Sequence, residues 1–205
     1  AFPALFTIVV AREIVAGPNW RNLPIVGALT LLLFGNALTH IEALGAISVD
    51  GAGYRLGVAT LLMLIGLIGG RIVPSFTRNW LVKQNPTAKT PPSFGRIDQL
   101  ALGVTALALL AWVGAPETRL TAGLTLLAGL AVGGRLSRWR GAQTVREPLL
   151  WVLHLGYGWL SIGLVLLGAN ILVPFLPQTA ALHALTVGAI GTMTLGVMTR
   201  ASLGH

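Results

Sequence analysis

The sequence predicts an all-α protein, a polytopic bundle of transmembrane helices, on three observations. Of the 205 residues, 54% are hydrophobic and 10% are charged, whereas about 25% of positions are charged in an ordinary soluble domain. No Asp, Glu, Lys or Arg occurs from Pro148 to Thr199, which leaves room for two spans of about 20 residues each. The basic residues lie mainly between apolar runs. We therefore predict that residues 1–205 form a single transmembrane helical domain.

The apolar runs predict seven spans, with boundaries at charged residues, prolines and glycines. The chain starts inside an apolar run without an initiating Met, so we interpret it as an internal fragment that begins in the last part of a span. A polar, Pro-rich segment at 83–93 is expected to be an exposed loop, and Pro174 and Pro177 divide the longest apolar run. The predicted spans are 2–16, 23–41, 53–76, 99–115, 118–138, 148–169 and 178–200.

The basic residues predict the orientation, because cytoplasmic loops are rich in Lys and Arg. Over alternate connections, twelve basic residues lie on one side of the membrane and two, Arg55 and Arg119, on the other. This bias places the carboxyl end of the visible chain in the cytoplasm and the connection at 42–55 outside. The net charge of +8 therefore indicates contact with the lipid bilayer, and nucleic acid is not expected as a partner.

The histidines are the candidate metal ligands. The chain has no Cys, so a metal must be bound by His, Met or oxygen, and an ionisable group inside a bilayer is a functional candidate by default. His154 shares a helix face with Tyr157 and Ser161, which predicts a polar stripe directed into the bundle. The alternative is a neutral histidine bonded to a backbone carbonyl or to a hydroxyl on a neighbouring helix.

Depth separates the histidines into two predicted sites. His154 lies near the cytoplasmic end of its span and His183 near the outer end of the next. If these spans pair antiparallel, the residue level with His154 is near Thr194, and His183 is displaced by about 16 Å. Metal–nitrogen bonds are about 2 Å long, so we predict separate sites. The outer site uses His183, with His40 as a candidate second ligand; the inner site uses His154, and His205 is a weaker candidate.

Four stretches of the chain carry a family resemblance. They are residues 69–80, GGRIVPSFTRNW; residues 153–159, LHLGYGW; and the pair 183–193 and 198–205, HALTVGAIGTM and MTRASLGH. These stretches closely resemble the NnrS family, and the resemblance extends over essentially the whole chain. It implies a bacterial inner-membrane protein of about twelve spans, seven of them visible here, that contains haem and copper and is linked to denitrification and tolerance of nitric oxide.

The resemblance gives the candidate residues a chemistry without assigning a ligand to each metal. His183 and His154 are the best axial or copper ligands, and Tyr157 is a further cofactor-binding candidate. Guanidinium groups suit the anionic haem propionates. The arginines that we predict for this role are Arg71, Arg78 and Arg200. The alternative for these arginines is topological anchoring by positive charge.

Three functions follow as hypotheses. The first is a haem- and copper-binding protein that protects against nitrosative stress by handling nitric oxide or nitrosylated iron, and it predicts coloured protein. The second is a multi-pass transporter or channel without redox cofactors, which predicts colourless protein and flux in vesicles. The third is a structural assembly subunit that tolerates loss of His154 and His183. No general acid or base set indicates a catalysed reaction.

Overall fold

The computed structural model describes residues 2–18, 20–173 and 175–203, and over these residues it has seven long helices and no strand. Six of the helices are long and apolar enough to cross a membrane. The first has 15 residues, about 22 Å of helix against a hydrocarbon core of about 30 Å. The all-α prediction is confirmed. The helices are α1 (Phe2–Ala16), α2 (Leu23–Ala43), α3 (Ala52–Gln84), α4 (Arg96–Gly114), α5 (Arg119–Ser137), α6 (Pro148–Leu172) and α7 (Gln178–Ser202).

The helix boundaries agree closely with the predicted spans, except at the end of α3. The predicted span stops at residue 76, whereas the helix continues to Gln84 and includes Pro74 in its interior. The residues beyond 76 are mostly polar, so this part of α3 extends past the apolar section. Its polar end leads into the Pro-rich segment, which is irregular and mostly exposed as expected.

The chain divides by its internal contacts into two compact units, Ala1–Leu61 and Leu62–His205, each described by itself. In the amino-terminal unit, α2 and α3 approach closely at two glycines, since a Cβ atom on Gly53 would lie 2.8 Å from the carbonyl oxygen of Gly35. The carboxylate of Glu42 closes the α2–α3 connection by accepting hydrogen bonds from the amides of Val49 and Gly51, at 3.0 and 3.1 Å.

The carboxy-terminal unit is built around α6, which packs against α5 and α7. Glycines allow the close approach: a Cβ atom on Gly129 of α5 would lie 2.8 Å from the carbonyl oxygen of Ser161 on α6. The hydroxyl of Ser161 in turn donates a 2.7 Å hydrogen bond to the carbonyl of Gly129. Small residues and interhelical hydrogen bonds are the usual means of packing helices in a membrane.

Candidate functional site

A buried arginine connects four helices of the carboxy-terminal unit. Arg135, near the end of α5, is 1% exposed, and its Nε atom donates a 2.8 Å hydrogen bond to Oδ1 of Asp98 at the start of α4. Its Nη1 atom donates to the Tyr157 hydroxyl on α6 at 2.8 Å and to the Gly66 carbonyl on α3 at 2.9 Å. Nη2 donates to the Gly70 carbonyl at 3.2 Å. Four of the five guanidinium N–H groups are therefore used inside the protein.

Both carbonyls that Arg135 binds lack their ordinary α-helical partner. Pro74 has no N–H to bond to the carbonyl of Gly70, four residues earlier. Gly66 lies in the π-helix Ile65–Gly69 within α3, and the amide of Gly70 that would pair with it donates to the carbonyl of Ile68 instead. Neither carbonyl receives a hydrogen bond from the amide four residues on, and Arg135 supplies each with a side-chain donor.

The surroundings of Arg135 are shaped to hold a cation. A Cβ atom on Gly70 would lie 2.6 Å from the guanidinium carbon, so this position requires glycine. The guanidinium carbon is 5.3 Å from the ring centre of Trp139, and that ring packs against Tyr157 with 4.6 Å between centroids. Aromatic faces at such distances attract a guanidinium group. A second arginine, Arg138, reaches the other carboxylate oxygen of Asp98 at 3.3 Å.

The hydrogen bonds of His154 define its tautomer. Its Nε2 atom lies 2.8 Å from Oγ1 of Thr77 on α3, and the single hydroxyl proton of Thr77 is donated to the carbonyl of Val73. With that proton donated to Val73, the hydroxyl oxygen is an acceptor for the ring, and the arrangement favours the neutral tautomer in which Nε2 carries the proton and Nδ1 the lone pair. Nδ1 is buried, without a partner among the described residues. A Cβ atom on Gly141 would lie 2.8 Å from it.

The polar stripe predicted on α6 does face the bundle. His154 is 6% exposed and Tyr157 is fully buried, and the hydroxyl of Tyr157 accepts from Arg135 while it points to the Gly66 carbonyl at 3.5 Å. In the described part of the chain, neither ring nitrogen of His154 faces open space. The cofactor-binding roles that the sequence assigns to these two side chains stay predictions.

The pairing of α6 with α7 fixes the separation of His154 from His183. A Cβ atom on Gly156 would lie 3.2 Å from the backbone nitrogen of Met193, and one on Gly163 would lie 3.1 Å from that of Leu185. The helices are thus antiparallel, and the residue level with His154 is within one position of the predicted Thr194. At this register the two histidines are about 16 Å apart along the helices, so they cannot bind one ion.

His183 differs from His154 in both exposure and bonding. Its side chain is exposed, and Nδ1 lies 2.7 Å from the carbonyl oxygen of Thr179. A carbonyl only accepts, so Nδ1 carries the proton and Nε2 has the free lone pair. Metal-binding histidines typically donate their other ring N–H in this way. The next residue begins the π-helix Ala184–Gly191, and π-helical turns are frequent at functional sites.

The predicted propionate-binding arginines fall into two places. Arg71 and Arg78 line a cleft of about 190 Å³ beside the buried cluster, and Arg78 donates a 3.0 Å hydrogen bond to the carbonyl of Pro91. Arg200 lies elsewhere, with its guanidinium carbon 4.4 Å from the ring centre of Phe76. Its Nε and Nη1 atoms are buried and have no acceptor among the described residues. Pairing with haem propionates stays a prediction for all three.

The remaining candidate ligands are His40 and His205. His40 is exposed on α2 in the amino-terminal unit, and its pairing with His183 stays a prediction. His205 lies outside the described residues. Over residues 2–18, 20–173 and 175–203, no group of three or more His, Asp or Glu side chains is placed to hold a metal ion. A metal at His183 therefore needs further ligands from the cofactor itself or from other segments.

Sequence reasoning missed Arg135 and Asp98 as members of a site, because it treated the basic residues as topological anchors. One signal was present. Asp98 is one of six acidic residues in the chain, and it lies at the start of a span that follows a connection whose other charged residues are Lys83, Lys89 and Arg96. A lone carboxylate beside several arginines, at the end of an apolar helix, predicts a buried ion pair.

The fold and the cluster define a multi-pass α-helical membrane protein whose helices enclose a buried arginine–aspartate pair. The family follows from comparison with protein-family models. The model described as NnrS protein matches residues 1–205, so the chain belongs to the NnrS family. Comparisons with curated proteins and with solved structures gave no match.

Proposed function

We propose that this chain acts in the nitric oxide response as part of a haem- and copper-binding protein of the bacterial inner membrane, associated with denitrification and tolerance of nitrosative stress. Two observations support this proposal in outline, namely membership of the NnrS family and six helices that can cross a membrane. The observation that carries it is the ring of His183, because its Nε2 lone pair is exposed while Nδ1 is held by Thr179.

The geometry of His183 fits a haem axial ligand particularly well. Haem iron takes its in-plane ligands from the porphyrin and needs only one or two axial ligands from the protein. A lone, exposed and correctly protonated histidine meets that need, whereas copper needs further protein ligands. When bound, either metal supplies a coordination position at which nitric oxide can bind. The chain contributes a fixed ring orientation through the 2.7 Å contact of Nδ1 with Thr179.

The predicted inner site fits less well in the described arrangement. The Nε2 atom of His154 is engaged by Thr77, and its Nδ1 atom is packed against Gly141, so the ring would have to turn before it could ligate. Arg200 lies seventeen residues beyond His183, more than about 20 Å along α7 even with its π-helical segment, and one haem cannot contact both. Any propionate that Arg200 binds therefore belongs to a cofactor at the cytoplasmic end of the bundle.

The test is an absorption spectrum with iron and copper analysis on the intact protein, purified in detergent after expression with adequate haem supply. We expect a Soret band with bound copper in the wild-type protein. His183→Gly should remove one of the two metal signals, and added imidazole should restore it, because free imidazole can occupy the space of the lost side chain. His154→Ala, measured in parallel, reports on the inner site.

Three results would count against parts of this proposal. Protein free of iron and copper would favour the transporter hypothesis, which is then tested by substrate flux in vesicles. Equal loss of all metal in the His183 and His154 variants would contradict two separate sites. Loss in His183→Gly that imidazole does not restore would indicate a structural role for this side chain. His40→Ala tests the predicted second ligand in the same assay.

A further inference from the structure

The cleft beside the buried cluster has the properties of an anion site. Its volume is about 190 Å³, and it lies within the carboxy-terminal unit between the polar end of α3, the segment before α4, and Trp139. Two guanidinium groups, from Arg71 and Arg78, and two hydroxyl groups, from Ser75 and Ser93, line it. All four side chains can donate hydrogen bonds, and a guanidinium group can bind two oxygens of one anion at once.

The single carboxylate at this cleft does not neutralise the two arginines. Asp98 lines the cleft, but one of its oxygens accepts from Arg135 at 2.8 Å and the other from Arg138 at 3.3 Å and from the amide of Gly95 at 3.0 Å. Asp98 is thus bonded to two arginines outside the cleft lining, and the two arginines that line the cleft keep their positive charge available. Within the described residues, the side chain of Arg71 has no hydrogen bond or ion pair.

The charge pattern along α3 predicts that the cleft lies at the level of lipid headgroups. The stretch from Leu56 to Gly70 carries no charged residue, and the charged part of the helix begins at Arg71. Arg71 and Arg78 lie two turns apart on one face, directly beyond the apolar section. Basic residues at the ends of spans lie at the membrane interface, where lipid phosphates are found.

We propose that this cleft binds a phosphate group, through Arg71 and Arg78 with the hydroxyls of Ser75 and Ser93. Donors from two helical turns and from the facing segment suit a group with several oxygens better than they suit a carboxylate, which has two. Arg78 donates a 3.0 Å hydrogen bond to the carbonyl of Pro91. This bond holds its guanidinium group against the Pro-rich segment. The phosphate comes from an anionic phospholipid or from free phosphate.

The experiment measures the melting temperature of the intact protein in detergent during titration with short-chain phosphatidylglycerol, phosphatidylcholine or inorganic phosphate. We expect saturable stabilisation by phosphatidylglycerol or by inorganic phosphate, and which of the two acts identifies the source. In the double variant Arg71→Gln/Arg78→Gln, the half-saturating concentration should rise at least about 10-fold, since each charge-assisted hydrogen bond contributes substantially to binding.

The matched control is Arg96→Gln/Arg146→Gln, which removes the same charge from two exposed arginines that do not line the cleft. Its half-saturating concentration should stay within about twofold of the wild-type value, as expected for charges that are screened by salt. Equal shifts of the half-saturating concentration in the two double variants would overturn the site. It would also be overturned if neither phosphatidylglycerol nor inorganic phosphate gave saturable stabilisation. If the Arg71→Gln/Arg78→Gln variant lost haem without a change in phosphate affinity, the phosphate site would be overturned in favour of propionate binding.

A second measurement uses the wild-type protein and does not depend on folding of a variant. Phenylglyoxal modifies accessible arginines, and peptide mapping reports the extent at each position. The stabilising phosphate compound should slow modification of Arg71 and Arg78 at least about 3-fold, as expected for guanidinium groups in bidentate contact, and leave Arg96 and Arg146 unaffected. Protection that is equal at all four positions would contradict a site in the cleft.

Discussion

The two ends of the α6–α7 pair use their polar groups in opposite ways. At one end, Arg135, Asp98 and Tyr157 are buried and bond to one another and to the backbone of α3. At the other end, His183 is exposed and keeps one ring nitrogen unbonded. The difference teaches that buried polar residues in this bundle bond mainly to other parts of the protein, whereas an exposed one such as His183 keeps an atom available to a ligand.

The largest expected effect comes from Arg135→Leu. It leaves the buried Asp98 carboxylate with the 3.3 Å contact to Arg138 and the 3.0 Å hydrogen bond from the Gly95 amide, and it removes the donors to the Gly66 and Gly70 carbonyls. We expect the free energy of unfolding to fall by about 3–5 kcal/mol, measured by denaturant unfolding in detergent. Arg146→Leu, at an exposed position, should change it by less than about 0.5 kcal/mol. Similar losses in the two variants would show that Arg135 has no special structural role.

A double variant sharpens this result. Arg135→Leu/Asp98→Leu removes both charges of the pair, so no uncompensated carboxylate remains in the bundle. It should be less destabilised than the sum of the two single variants, since groups in direct contact do not act additively. Additive losses would mean that the 2.8 Å ion pair contributes little.

Gly70→Ala should have the next largest effect. Its Cβ atom would lie 2.6 Å from the guanidinium carbon of Arg135, and overpacking of this kind typically costs about 1–3 kcal/mol. The control is Gly103→Ala on α4, where a Cβ atom meets nothing within 4 Å. That change should be neutral or stabilising by up to about 1 kcal/mol, because alanine favours the helix. Melting temperatures of the two variants measure the difference.

Thr77→Val tests the tautomer of His154 and should have a smaller effect on stability. The change keeps the shape of the side chain but removes the acceptor for Nε2 of His154, so we expect a loss of about 1 kcal/mol. Thr30→Val is the control, because the hydroxyl of Thr30 donates only within its own helix, to Val26. A ¹⁵N NMR spectrum of protein labelled at histidine should also show changed chemical shifts for the ring nitrogens of His154. Unchanged shifts would contradict the tautomer.

His183→Ala is expected to have the smallest effect on stability, less than about 0.5 kcal/mol in cofactor-free protein, because the side chain is exposed. The same variant should nevertheless lose bound metal if His183 is a ligand. His154→Ala should instead lower the free energy of unfolding clearly, since its buried ring bonds to Thr77 at 2.8 Å. A larger loss of stability at His183 than at His154 would reverse the comparison between the two ends.

Much of the fold could be predicted because hydrophobic length sets the spans. The start of α6 at Pro148 agrees with its predicted start, and the antiparallel register of His154 with the region of Thr194 was predicted within one residue. The buried direction of His154 and Tyr157 followed from helical spacing. By contrast, the α-helical rotation of about 100° per residue does not hold through Ala184–Gly191, because this segment is a π-helix. No local sequence signal marks the change.

The sequence by itself determined the fold class, the positions of the spans and the helix faces that carry polar side chains, because these depend on composition and on spacing along one chain. Only the tertiary structure decided which polar groups meet. From the sequence, Arg135 is one more basic residue; the tertiary structure brings it to the carbonyls of Gly66 and Gly70 on α3 and to Asp98 on α4. A hydrogen bond between helices depends on distances of a few tenths of an ångström across segments far apart in sequence, and spacing along one helix does not contain that information.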